Sequence, residues 1–324
     1  YRILAALYEQ AQQPFSAIAT LDSAEVRFGR IPVLSTMKRQ LLVATRQMDK
    51  AVEEAEAMVE AVPYEAEHHV VLADLYGILG KDSLAKAEYD RALQIDSTNV
   101  GTLMSLADFY NGRHDYRAVL DVTQRLFESD KMPLDTKIKR FGIFTSDMRF
   151  YREYYPQLNT LASTLAVRYP QDRRVVELYA KHLIAGGFLE DALSLYKSHL
   201  NDSTDRKEPF NTVIEIEAYQ KRPDSVAKYT AMALQRFPSD PELFLRKGSI
   251  SAYMLNNPKE AEPAYREALK YAKTDSLRSV IYGVLGDNYQ TLGDYKNCFK
   301  SYEKGMKLDT TNAVIYNNYA YFLS

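Results

Sequence analysis

Between residues 275 and 309, in the stretch DSLRSVIYGVLGDNYQTLGDYKNCFKSYEKGMKLD, apolar positions return with the period of an α-helix. Tyr282, Leu285, Gly286 and Tyr289 follow one another at steps of three, one and three, which places them on one stripe. Beyond a tight turn at Gly293-Asp294, Cys298, Tyr302 and Gly305 form a second stripe, and Asp287, Asn288, Lys296, Lys300 and Lys304 fill the polar sides. The pattern predicts two amphipathic helices in a hairpin. Neither can bury its apolar face alone, so other copies must complete the core. Glycine inside a helix costs about 1 kcal/mol relative to alanine, and close approach of two helices is the expected reason for Gly286 and Gly305.

The same pattern recurs along the chain. Leu72, Ala73 and Tyr76 reappear 34 positions later as Leu106, Ala107 and Tyr110, Phe144 lies 34 beyond Tyr110, and Tyr289 maps onto Leu323. The copies run over 1–29, 30–63, 64–99, 100–133, 134–171, 172–204, 205–239, 240–274 and 275–312, with a partial copy at 313–324. Polar junctions such as Asp96-Ser97-Thr98-Asn99 and Asp309-Thr310-Thr311-Asn312 supply side-chain acceptors that cap the following helix. The seventh copy turns at Pro223-Asp224 and the eighth at Asn257-Pro258. In the eighth, Gly248 and Tyr253 cannot both take their usual places. The fifth is interrupted by a turn rich in rings and arginine: Arg149, Phe150, Tyr151, Arg152, Tyr154 and Tyr155. These residue types anchor protein interfaces, and the same rings equally suit plugging the gap left by an irregular turn.

Composition narrows the class. Glycine (13) and proline (12) are both sparse, as short turns between helices require, and 46% hydrophobic residues exclude disorder. A formal charge of −2 gives no overall pull toward nucleic acid or anionic membrane, and no apolar run is long enough to span a bilayer. The single cysteine, Cys298, excludes an internal disulfide. The acidic run Glu53, Glu54, Glu56 and Glu60 reads as a solvated helix face or, alternatively, as a partner surface. His68 and His69 are adjacent, and His114, His182 and His199 are scattered. Glu65 and His69 could share a face, but two ligands do not make a zinc site. No HExxH, GxSxG, glycine-rich phosphate loop or CxxC occurs, so no cofactor, metal or catalytic residue is expected. Asn201-Asp202-Ser203 fits a glycosylation acceptor, a common tripeptide. The chain opens without methionine and stops midway through a copy, from which we expect a segment of a longer chain.

The small residues at the eighth place (Ala73, Ala107, Ala180, Gly286, Ala320), the twentieth (Ala51, Ala85, Ala192, Cys298) and the twenty-seventh (Ala92, Ala233, Gly305), with a closing proline (Pro63, Pro170, Pro238), resemble the tetratricopeptide repeat of bacterial proteins. The match covers nearly the whole chain, although no tryptophan occupies the fourth place, and Ser97 and Thr310 stand where the proline is usual. The resemblance implies an all-α fold, a right-handed α-solenoid of about nine and a half helix-turn-helix units forming one domain. It also implies that first helices line a concave wall, with the second, fifth, ninth, twelfth and thirteenth places facing a ligand. Those places bring forward Asp74, Asp108, Lys181, Glu217 and Asp287 at the ninth, Asn111 and Gln290 at the twelfth, Asn317 at the fifth, and Arg174 beside Lys181. The expected function is a non-catalytic scaffold holding an extended or helical partner segment bearing Lys or Arg in a mostly acidic groove. An accessory region of an enzyme or envelope assembly whose active domain lies elsewhere is the alternative. Self-association through the unfinished last copy is a further expectation, and the location expected is soluble and bacterial, either cytoplasmic or exported.

Overall fold

The computed structural model describes residues 1–200 and 205–323, so the tripeptide Asn201-Asp202-Ser203 lies outside the described residues. All described secondary structure is helical, and the hairpins stack in chain order as an α-solenoid does. The chain divides into two compact units, residues 1–175 and 176–324.

In the first unit, four hairpins are formed by α1 (Arg2–Gln10) with α2 (Pro14–Phe28), α3 (Pro32–Ala44) with α4 (Met48–Ala61), α5 (Ala66–Ile78) with α6 (Asp82–Ile95), and α7 (Val100–Asn111) with α8 (Tyr116–Glu128). A broken hairpin follows: α9 (Leu134–Ser146), the short α10 (Met148–Glu153) and α11 (Tyr155–Arg168). The division falls within α12 (Arg173–Ala185). The second unit continues with α13 (Leu189–His199), α14 (Glu208–Tyr219) and α15 (Pro223–Arg236). Then come α16 (Pro241–Ser249), which runs into a π-helical turn (Ile250–Met254), and α17 (Pro258–Tyr271). The last hairpin is α18 (Asp275–Thr291) with α19 (Tyr295–Leu308), and α20 (Ala313–Leu323) packs on both.

One backbone feature sets the register of the repeat. A residue of positive φ ends the first helix in eight hairpins: Gln12, Arg46, Gly80, His114, Gly187, Lys221, Asn256 and Gly293. The first four are 34 residues apart, as are Gly187 and Lys221. The left-handed conformation reverses the chain into the second helix, and five copies accept its cost of roughly 1–2 kcal/mol on a side chain other than glycine. Pro223 and Pro258 stand after the turn and open α15 and α17, where a missing N–H leaves nothing unsatisfied.

Helix contact is closest where the repeat is smallest. Ala73, Ala107 and Ala180 have no exposed surface, nor do Ala85, Ala192 and Cys298. A β-carbon on Gly286 would sit 2.4 Å from the Tyr302 ring, and one on Gly248 would sit 2.4 Å from the Tyr265 ring. Gly286 precedes its tyrosine by 16 residues, and Gly248 precedes its own by 17. The π-helical turn holds the additional residue, closed by Leu255 N–H to Ile250 O at 3.0 Å and Asn257 N–H to Ser251 O at 2.7 Å. The conflict between Gly248 and Tyr253 is thereby resolved: Gly248 keeps the buried place and Tyr253 turns outward, 63% exposed. On α20 Ile315 is buried, whereas Ala320, expected at a packed place, is exposed because no second helix covers it here.

At the junctions the last asparagine caps the following helix, Asn99 on α7 and Asn312 on α20 through Ile315 N–H at 3.5 Å, while the aspartates close the turn before it. Asn99 Oδ1 accepts Thr102 N–H at 2.9 Å, Asp96 Oδ1 accepts Thr98 N–H at 2.9 Å, and Asp309 Oδ1 accepts Thr311 N–H at 2.9 Å.

Candidate functional site

Two of the three ninth-place aspartates are built into their hairpins. Asp74 on α5 is half-buried and accepts the Tyr89 hydroxyl of α6; Asp287 on α18 accepts the Tyr302 hydroxyl of α19 at 2.6 Å. Each tyrosine lies 15 residues after its aspartate, and in the eighth copy the Tyr265 hydroxyl reaches Ser249 Oγ at 3.5 Å in the same way. Asp287 also accepts Asn318 Nδ2 at 2.9 Å, which ties α20 to α18. Burial pushes the Asp74 carboxyl up, the Tyr89 hydrogen bond pulls it down, and the charge of Asp108 pushes it up again. Asp108 is exposed on α7, the next first helix, and its charge acts on Asp74 across the two helices. On α9, burial lowers the Arg140 guanidinium and Asp108 supports it, so this wall of the first unit reads carboxylate, carboxylate, guanidinium.

The other predicted places differ in availability. Asn111, Lys181 and Asn317 are exposed, and Gln290 is half-buried. Arg174 is occupied: its guanidinium meets Asp172 at 2.8 Å and Asp135 at 2.6 Å. Lys181 has no carboxylate within ion-pairing distance among the described residues. Glu217 needs correction. With Lys221 as the left-handed residue, the ninth place of that copy falls on Glu215, and Glu217 sits where other copies have a packed tyrosine. Accordingly Glu217 has no exposed surface and spends its charge on Lys197 and Arg222, whereas Glu215 is exposed and pairs with Arg246 at 3.4 Å.

In the aromatic stretch, Phe150 stacks on Phe144 with centroids 5.8 Å apart and meets Tyr116 of α8 edge-on at 5.3 Å. Tyr154 packs on both Phe150 and Tyr116. Tyr151 is buried with its ring against Tyr155, and Arg149 and Arg152 reach solvent. Asp147 caps α10 through the amides of Arg149 and Phe150.

Sequence reasoning missed an apolar pocket in the second unit of about 400 Å³, with Ile184, Leu189 and Ile216 in its lining and Tyr219 at its lip. Counted from Gly187 and Lys221, Ile184 holds a twelfth place and Tyr219 a thirteenth. Lysine carries no mark of a left-handed turn, so only the backbone reveals that alignment. Among the described residues no group of His, Cys, Asp and Glu could hold a metal ion. His69 is buried, with Nδ1 2.7 Å from Glu88 Oε2 and Nε2 3.1 Å from Pro63 O, an arrangement that braces the third hairpin. No described helix is long and apolar enough to cross a membrane.

Residues 66–99 and 280–312 match the family model described as tetratricopeptide repeat. Nothing among curated proteins matches the chain in sequence. Among solved structures, residues 41 to the end of MamA from Desulfovibrio magneticus RS-1 are similar over 54% of this chain and 97% of their own, at 14% identity and a TM-score of 0.43. A thermophilic TPR protein of Thermus thermophilus covers 58% of this chain and 98% of its own, at 17% identity and 0.39. The C-terminal part of a TPR repeat-containing protein from Cytophaga hutchinsonii covers 97% of both chains, at 13% identity and 0.34.

Proposed function

We infer that this tetratricopeptide-repeat protein is a non-catalytic scaffold that holds an extended or helical partner segment against the first helices of its hairpins. The observation that carries the reading is the pair Asp74 and Asp108. On α5, burial and the neighbouring charge of Asp108 on the next first helix both push the Asp74 carboxyl up, and a lysine or arginine of a partner placed between them would be attracted by both carboxylates. Asn111, exposed one turn beyond Asp108, offers amide hydrogen bonds to a peptide backbone. Asp74 thus has two tasks, bracing its hairpin through Tyr89 and presenting charge to the groove, whereas Asp108 presents charge alone. Such a contact adds mainly orientation and on-rate, because exposed ion pairs contribute only about 0–1 kcal/mol each.

A photo-crosslinking amino acid at Asn111 tests this against the same group at Lys86, exposed on the second helix α6. The partner should be captured from Asn111 and not from Lys86, and the charge reversal Asp108→Lys, at an exposed position, should weaken capture several-fold while helix content is kept. Equal capture from both positions, or capture unaffected by the reversal, would refute the reading.

A further inference from the structure

We propose that the second unit anchors its partner by one bulky apolar side chain, seated in the pocket among Ile184, Leu189, Ile216 and Tyr219, with an acidic residue beside it on Lys181. The inference rests on the scaffold reading and specifies what part of that partner the second unit recognises. Ile216 forms a buried wall, Ile184 and Leu189 are half-buried, and Tyr219 leaves 79% of its surface exposed at the lip. An exposed tyrosine over an apolar recess is the combination that gives interfaces their anchors, since the ring covers area while losing little conformational freedom. At about 400 Å³ the recess lies near the lower end of the roughly 300–1,000 Å³ range of small-ligand sites. Its one lining charge, Glu215, is already paired with Arg246, and no convergent set of donors is present to orient a metabolite.

Charge decides the neighbour of the apolar residue. Lys181 and Ile184 are three residues apart on α12 and therefore share a face, with the ammonium one turn from the pocket. That ammonium is exposed and has no ion pair among the described residues. Gly187, left-handed at φ +82 with nothing within 4 Å of where a β-carbon would stand, leaves the mouth open on the turn side. A segment with phenylalanine or leucine next to aspartate or glutamate satisfies both features at once.

Methyl NMR on the full chain tests this with three probes: acetyl-Gly-Ser-Phe-Asp-Gly-Ser-amide and its Phe→Ser and Asp→Lys versions. The first should shift the Ile184 and Ile216 methyl signals. Phe→Ser should weaken binding by about tenfold or more, as loss of one buried large apolar side chain does. Asp→Lys should weaken it several-fold, and that difference should vanish in Lys181→Gln. Tyr219→Ala, at an exposed position that leaves the fold intact, should reduce affinity for the first probe, and Ile184→Ser should do so by a second route. Identical shifts with all three probes, no shift at millimolar peptide, or undiminished binding to both pocket variants would overturn the proposal. Capture at Asn111 together with any of those results removes the pocket and leaves the scaffold reading standing. Selective methyl shifts without capture at Asn111 have the opposite meaning.

Discussion

Replacing Gly286 by alanine adds one methyl group where the structure leaves no room for it. The new β-carbon would lie 2.4, 2.6 and 2.9 Å from three atoms of the Tyr302 ring, which is itself fully buried and hydrogen-bonded to Asp287. Helix propensity favours alanine by up to about 1 kcal/mol. Overpacking costs about 1–3 kcal/mol, and loss of the tyrosine hydrogen bond as the ring shifts costs about 1 kcal/mol more. The clash therefore wins, with a net destabilisation of about 1–3 kcal/mol. Gly142 is the control: it lies in α9, exposed, with nothing within 4 Å of a β-carbon, so Gly142→Ala should stabilise by about 0.5–1 kcal/mol. Urea denaturation with hydrogen exchange read separately for α18 and α19 is the suitable assay, because stacked repeats need not unfold as one unit. Shortening the ring in the double variant with Tyr302→Leu should return part of the loss. If Gly286→Ala raised the midpoint as Gly142→Ala does, the close approach of these helices would not be what selects glycine.

Two further perturbations follow from buried ionisable groups. Lys137 has no exposed surface and donates from Nζ to Phe127 O at 2.8 Å, Ser129 O at 2.7 Å and the Tyr169 hydroxyl at 3.1 Å. Lys137→Met relieves a buried charge but strands two carbonyls at the end of α8, for an expected loss of about 2 kcal/mol in urea denaturation; a more stable variant would refute that balance. Burial drops the His182 imidazole from 6.5 to about 4. The folded state therefore favours the neutral ring, and the stability this confers is complete above pH 6.5 and is lost as pH falls from 6.5 through 4, on the order of 3 kcal/mol in all. Urea midpoints across that window should fall less steeply in His182→Leu than in the parent chain, and parallel profiles would show that another group titrates.

The sequence carries this fold through volume rather than through turn chemistry. Ala73, Ala107, Ala180 and Gly286 repeat at buried places, at Gly286 because the Tyr302 ring of the second helix occupies the space a larger residue would need, and that constraint is written in residue type. The reversal of the chain is not, since Arg46, His114 and Lys221 take the left-handed conformation without advertising it. An array can therefore be recognised from apolar period alone while one copy stays out of register by two residues, enough to exchange exposed Glu215 for buried Glu217. The eighth copy shows the limit differently: Gly248 and Tyr253 expose the conflict in sequence, and only the backbone shows a π-helical turn absorbing it. Ninth-place aspartates lie between these cases. Their spacing of 15 from Tyr89 and Tyr302 is visible in the chain, yet its meaning appears only once the hydroxyl is seen on the carboxylate. It follows that free carboxylate charge on the first helices cannot be counted from sequence alone. Asp74 is half-buried and held by the Tyr89 hydroxyl, Glu217 is buried in ion pairs, and Asp108 is exposed.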